Sequence, residues 1–226
     1  MPAALIPMKD PSHSKQRLSS LFNAEERRSL ALAMFVDVLH AVKGARSIDR
    51  VIVLGLGERI HEVTLSCGCE YLSDEDGRGE TEAVAWGTCR ISGLAKGVLV
   101  LPADVPLVLP EDLDVLVAAS PGVTGVTLCP SRDRLGTNGV LRCPGDVMPL
   151  TFGNNSFHPH RETAQRLGIP CAVVDLPRLG LDIDRPEDVA TFLCEAGTGE
   201  TYRYLTSIGA RERIAPLFSK EQNGPS

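Results

Sequence analysis

Four groups of side chains in this 226-residue chain have the types and spacing to do chemistry. The first is Asp104. It closes the stretch Gly97-Val98-Leu99-Val100-Leu101-Pro102-Ala103-Asp104, an apolar run of strand length that ends in a carboxylate with Pro102 and Pro106 on either side. Such a run reads as a strand buried on both faces of a parallel sheet. Ligands of those sheets bind just beyond the carboxyl ends of the strands. A carboxylate there suits Mg²⁺, which takes one or two carboxylates and completes its shell with phosphate oxygens and water. Asp104 could equally do no more than open a turn before a helix near Pro110. The second group is Asp182 and Asp184, which share a face if the chain is extended. Pro186 suits the first position of a following helix, and Asp184 is close enough to help cap it, leaving Asp182 the freer carboxylate. Two carboxylates far apart in sequence, each expected at a strand end, strengthen a metal-bridged phosphate site.

The third group is cationic. Lys9, Lys15 and Arg17 fall within nine residues, in a loop that also holds Ser12, His13 and Ser14. A basic, hydroxyl-rich loop between a strand and a helix can surround a polyphosphate with backbone N–H groups and charged side chains. The Gly-x-x-x-x-Gly-Lys spacing of a Walker A loop is absent, and a solvated charged loop remains the alternative. The fourth group comprises two polar turns, Gly136-Thr137-Asn138-Gly139 and Phe152-Gly153-Asn154-Asn155-Ser156-Phe157-His158-Pro159-His160. A helix start with a hydroxyl and nearby histidines can hold a carboxylate or phosphate, although Ser156 could be only the cap of a helix running to about Leu167.

The elements that would position these groups alternate. Strands are expected at Ala3–Met8, Arg50–Gly55, Glu70–Leu72, Gly97–Leu101 and Val123–Leu128. Asn23 should cap a long helix whose first turn carries Glu25 and Glu26. Further helices are expected at Glu58–Ser66, Thr81–Ile91, Glu111–Ala118, after Ser156 and after Pro186. Alternation of this kind predicts an α/β fold with one doubly wound, mostly parallel sheet over residues 1–219, and a frayed tail at 220–226.

Composition narrows the classes. Hydrophobic content is 43% and charged content 23%, which suits a packed globular domain. The net charge of −6, one Trp and three Tyr offer neither a basic footprint nor a stacking platform, arguing against nucleic acid. No apolar run approaches a membrane span, and none reads as a signal peptide. Seven scattered cysteines without a Cys-x-x-Cys pair read mostly as small buried hydrophobes in a reducing, cytoplasmic setting.

Taken in order, several segments resemble the 2-phospho-L-lactate guanylyltransferase family of coenzyme F-420 biosynthesis, which includes phosphoenolpyruvate and 3-phosphoglycerate guanylyltransferases. They are Ser14-Lys15-Gln16-Arg17-Leu18, Glu25-Glu26-Arg27 with Leu30-Ala31-Leu32-Ala33-Met34, Leu101-Pro102-Ala103-Asp104-Val105-Pro106, Gly136-Thr137-Asn138, Phe152-Gly153 with Ser156-Phe157 and His160, and Leu181-Asp182-Ile183-Asp184-Arg185-Pro186-Glu187-Asp188. The resemblance covers about Ala4 to Val189. It implies a Rossmann-like nucleotidyltransferase fold and attack of a small acid's phosphate on the α-phosphorus of GTP, with release of pyrophosphate. Matching positions imply Mg²⁺ on Asp104 and Asp182, with Asp184 the lesser candidate. They imply Lys9, Lys15, Arg17, Gly79, Thr81 and Pro102 around the nucleotide, Lys15 and Arg17 acting in catalysis. Gly136, Thr137, Asn138, Gly153, Ser156 and His160 would lie around the acid. The same resemblance implies a downstream transferase that takes the product, and allows a homodimer. Two features differ from the family: Gly79-Glu80-Thr81-Glu82-Ala83 stands where Gly-Leu-Asn-Ala-Ala is usual, and Gly-Thr-Gly-Thr-Asn is shortened to Gly136-Thr137-Asn138. The rival readings are a nucleotidyltransferase for a molybdopterin or sugar phosphate, and a noncatalytic nucleotide-binding protein.

Overall fold

The computed structural model describes residues 1–11, 14–153 and 155–218; the expected tail at 220–226, and Ser12, His13 and Asn154, lie outside the described residues. Among the described residues seven strands form one sheet: β1 (Ala3–Met8), β2 (Arg50–Gly55), β3 (Glu70–Ser73), β4 (Val98–Val100), β5 (Gly125–Pro130), β6 (Thr137–Cys143) and β7 (Cys171–Val173). Their order across the sheet is β3-β2-β1-β4-β6-β5-β7. β1 pairs in parallel with β2 on one side and β4 on the other, and β6 alone runs antiparallel, between β4 and β5. The chain therefore builds outward from β1 to β3, then returns to the other side of β1. That reversal opens a crevice beyond the carboxyl ends of β1 and β4, where α/β sheets bind ligands.

Eight helices accompany the strands among the described residues: α1 (Ala24–Gly44), α2 (Glu58–Ser66), α3 (Glu80–Ile91), α4 (Pro110–Ala118), α5 (Phe157–Arg166), α6 (Pro186–Glu195), α7 (Glu200–Ser207) and α8 (Ala210–Phe218). α1 starts where the sequence predicts. The Asn23 side chain accepts from the Glu26 N–H, and Glu26 reciprocates on the Asn23 N–H, both at 2.9 Å. Leu30, Met34 and Val38 of α1 are fully buried, in one core with Ile6, Val53, Leu99 and Leu141. A second core contains Leu5, Leu54, Val100, Leu128 and Val140, under Val84 of α3 and Phe157 of α5. Alternate strand residues thus feed opposite faces, as the near-continuous apolar runs require. α7 has a remote cap: Asp37 of α1 accepts from the Glu200 and Thr201 N–H groups at 2.7 and 2.8 Å.

Several expectations are corrected. Thr137 and Asn138 begin strand β6 instead of forming a tight turn, because β6 is completed by ladders to two neighbours that the local sequence does not reveal. The central strand is only Val98–Val100, so Asp104 lies four residues past its end. β5 begins at Gly125 because Val123 is 93% exposed. β7, α7 and α8 stand where the sequence predicts no element. Cys69 and Cys129 are buried, but Cys89, Cys171 and Cys194 are exposed. These three sit on outward helix faces and an edge strand, where neighbouring apolar residues in sequence say nothing about orientation. No helix among the described residues is long and apolar enough to cross a membrane.

Candidate active site

Lys15 organises the crevice. It takes φ 55°, in the left-handed region, just before a 3-10 turn over Gln16–Leu18. Its Nζ lies 2.5 Å from Asp104 Oδ2 and 2.6 Å from Asp184 Oδ1, with the side chain only 8% exposed. Burial alone would favour neutral Lys15, but Asp104 and Asp184 outweigh it and raise its pKa, so it stays cationic. Arg17, exposed, reaches within 3.6 Å of Asp184 Oδ2. The Ile183 N–H donates to the Asp104 carbonyl at 3.1 Å, stitching the Asp-Ile-Asp segment to the loop after β4. Leu181 and Ile183 point into the core while Asp182 and Asp184 stay accessible, the alternation of extended chain. The shared face inferred for the two acids is thus present, although residues 181–184 lie outside the seven strands.

The two acids differ in environment. Asp182 accepts from Asn138 Nδ2 at 3.0 Å, but burial and the neighbouring Asp104 push its pKa up. Burial also pushes Asp184 upward, yet Lys15 and Arg17 outweigh it and hold that carboxyl below its usual range. Asp184 does not cap α6. Asp188 does so, accepting from the Asp184 and Arg185 N–H groups at 3.1 and 2.8 Å, because it reaches back over the first turn while Lys15 occupies Asp184. Asp104 Oδ1 is buried and has no hydrogen-bond partner. No group of three or more His, Cys, Asp or Glu side chains among the described residues could hold a metal unaided. A cation that draws part of its shell from phosphate needs fewer protein ligands than that.

From this cluster a hollow runs along Lys9, Pro102 and Glu80, with Met34 at its base. A second hollow continues past Lys9 and Glu80 to Gly55, Asp74, Arg78 and Gly79. Lys9 and Pro102 line the first hollow with Lys15 and Asp104, and Gly79 lines the second, which shares Lys9 and Glu80 with it. Thr81 departs from it: its Oγ1 accepts from the Phe152 N–H at 2.9 Å, tying α3 to the loop that carries Gly153. Glu80 remains accessible, but the packing around it pushes its pKa up; Lys9 pulls it down and Asp104 pushes it further up. Asp74, 7% exposed, binds the Arg78 side chain at 2.6 Å and its N–H at 3.1 Å. The sequence signals the Asp74–Arg78 pair only by its four-residue spacing across a glycine turn. The largest cavity described, ≈ 730 Å³, lies between α1, α2 and α7 and shares no residue with this cluster.

On the other side of the carboxylates, a β-bulge sets the geometry. Cys129 pairs with Gly139 and Pro130 with Thr137, leaving Asn138 as the extra residue of β6. Asn138 Nδ2 donates to the Leu179 carbonyl at 3.1 Å and to Asp182. Thr137 faces the opposite way, its Oγ1 lying 3.1 Å from His160 Nδ1 and 3.2 Å from Ser156 Oγ. All three side chains are buried. Ser156 occupies the N-cap position of α5, but its hydroxyl makes no cap hydrogen bond; it turns inward to Thr137. Gly136, part-buried, donates its N–H to Ser131 Oγ at 2.8 Å, and exposed Gly153 takes φ 147° in the loop before Ser156.

Comparison with known proteins identifies the family and the fold. A family model described as guanylyl transferase CofC like matches residues 2–216. The phosphoenolpyruvate guanylyltransferase of Conexibacter woesei is 35% identical, covering 82% of this chain and 84% of its own. The 3-phospho-D-glycerate guanylyltransferase of Colwellia psychrerythraea is 31% identical over 82% and 88% of the two chains. The 2-phospho-L-lactate guanylyltransferase of Methanothermobacter thermautotrophicus is 30% identical over 91% and 90%. A putative nucleotide-diphospho-sugar transferase from Desulfovibrio desulfuricans has the same fold, with a TM-score of 0.76, 14% identity, and coverage of 96% of this chain and 98% of its own.

Proposed function

This chain belongs to the CofC-like guanylyl transferase family, and on that premise we propose that it transfers GMP from GTP to the phosphate of a three-carbon acid in coenzyme F-420 biosynthesis. The acids are those named for its relatives: phosphoenolpyruvate, 3-phosphoglycerate or 2-phospho-L-lactate. A phosphate oxygen of the acid attacks the α-phosphorus of GTP, the bond to the bridging oxygen of the β-phosphate breaks, and pyrophosphate leaves. The attacking oxygen is already anionic at neutral pH, so no general base is needed. Catalysis reduces to neutralising charge and aligning two phosphates.

The observation that carries this reading is the Lys15–Asp104–Asp184 cluster beside Asp182 at the sheet's switch point. Lys15, Lys9 and Arg17 supply positive charge to the triphosphate, which follows the cleft past Pro102, Glu80 and Gly79. A divalent cation, Mg²⁺ in this proposal, fits Asp104 and Asp182. Asp104 Oδ1 is buried without a partner, burial and the neighbouring Asp104 carboxylate push the Asp182 pKa up, and an all-oxygen donor set suits a hard cation. Bound there, the ion would neutralise phosphate charge as it builds in the transition state. Asn138 keeps Asp182 in place, and Thr137 with Ser156 meets the acid. The product then passes to a downstream transferase in the cytoplasm, a setting that suits the free cysteines.

The test is turnover of GTP with Mg²⁺ and each of the three acids, read as pyrophosphate release with products identified by mass. GTP should exceed ATP in kcat/KM with the working acid. No product from any acid would overturn the assigned reaction, and parity of GTP and ATP would overturn the base preference.

A further inference from the structure

His160 is 1% exposed on α5 and lines neither hollow beside Lys9, yet both ring nitrogens are spoken for. The Thr151 backbone N–H donates to Nε2 at 3.1 Å. A backbone N–H can only donate, so Nε2 carries no hydrogen and the neutral ring must carry its hydrogen on Nδ1. Burial and the nearby Arg142 guanidinium keep the ring neutral, with a pKa pushed down to about 4. Arg142 is itself buried, donating to the Met148 carbonyl and Thr88 Oγ1 at 2.8 Å each, so a second cation beside it is disfavoured. Nδ1–H therefore donates to Thr137 Oγ1, 3.1 Å away.

The consequence follows from counting hydrogens. Thr137 and Ser156 have two hydroxyl hydrogens between them, and their mutual contact at 3.2 Å uses one. With His160 donating, the other remains free to donate to an anion. With the opposite tautomer, Thr137 would donate to Nδ1, Ser156 would donate to Thr137, and none would remain. We propose that His160 is a positioning residue whose tautomer, fixed by the Thr151 N–H, leaves one hydroxyl hydrogen of the Thr137–Ser156 pair available to the anionic acid. This rests on the reading that the acid meets Thr137 and Ser156. The discrimination is large because a hydrogen bond to a charged group is about twice as strong as a neutral one.

The first test reads the tautomer directly, by ¹⁵N NMR of histidine-labelled protein at pH 7, with the His160 signals assigned by their loss in His160→Asn. A protonated Nδ1 with a bare Nε2 supports the inference; the reverse overturns it. The second test compares KM values. His160→Leu should raise KM for the acid about ten- to a hundredfold while leaving KM for GTP within about twofold. His160→Asn, whose amide N–H can stand near the place of Nδ1–H, should recover most of that loss. Equal changes in both KM values, or no recovery with Asn, would show a merely structural role. If His160→Leu does not fold, the tautomer and the Asn variant still decide. Thr137→Val and Ser156→Ala serve as controls on the premise: if neither alters KM for the acid, the placement of the acid falls and this inference with it, whatever the tautomer.

Discussion

Acid should destabilise this protein through His160 well before the ordinary carboxylates titrate. The folded chain holds that imidazole neutral down to about pH 4, whereas its ordinary value is 6.5. Between those values the unfolded chain binds a proton that the folded chain refuses, so stability falls as pH drops through the window. The ratio of binding polynomials gives a loss of about 2 kcal/mol between pH 7 and pH 5. At a typical urea slope of about 2 kcal/mol/M, that moves the unfolding midpoint by roughly 1 M. Asp182 and Glu80, whose values are raised, act with the opposite sign, and Asp184, Glu26 and Glu70, whose values are lowered, matter mainly at still lower pH. Comparison with His160→Asn subtracts them all. The variant should be less stable than the wild type at pH 7 but should lose about 2 kcal/mol less on going to pH 5. Equal pH dependence in urea titrations of the two proteins would refute the burial argument.

Two further outcomes separate the carboxylates. Asp104→Asn should remove turnover while leaving the thermal midpoint within a few degrees of wild type, measured by pyrophosphate release and thermal unfolding; an active variant would remove Asp104 from the metal site. Asp184→Asn should raise KM for GTP by freeing Lys15, with little effect on α6, whereas Asp188→Ala should cost about 0.5–2 kcal/mol of stability as a lost cap. Chemical denaturation of both variants checks the assignment, and a reversed order of stability loss would return the capping role to Asp184.

The parts of the fold that were legible in the sequence are those with local causes. β1, β2 and α2 carry their own apolar patterns and breakers, and Asn23 with Glu26 is a self-contained capping box. The elements that were missed depend on distant partners. α7 is capped by Asp37, 163 residues away, and β7 is a three-residue strand paired to β5 at one end of the sheet. The candidate site divides in the same way. The residue types of Asp104, Asp182 and Lys15 were readable, but which carboxylate Lys15 would bind was not. Asp184 and Asp188 flank the start of α6 and have the same chemistry; the choice between cap and ion pair is made by a lysine far back in the chain. Likewise Ser156 stands where a cap belongs, and only the arrival of Thr137 from β6 turns its hydroxyl inward.

The bulge in β6 decides more than local shape. In an unbroken strand Thr137 would share a face with Gly139 and Leu141, and Asn138 with Val140 and Arg142. The extra residue shifts that alternation, so Thr137 joins the face of Val140 and Arg142 while Asn138 turns towards Leu179 and Asp182. Closing the bulge while keeping both residues, so that Asn138 instead of Thr137 pairs with Pro130, would therefore transpose the pair, sending the hydroxyl to the carboxylate and the amide to the imidazole. Register in this segment is as much a part of the site as composition. A chimera that borrows the Gly136–Gly139 segment from a relative must keep the pairing of Pro130 with the threonine, and with it the bulge at the asparagine, or the two halves of the site exchange their partners.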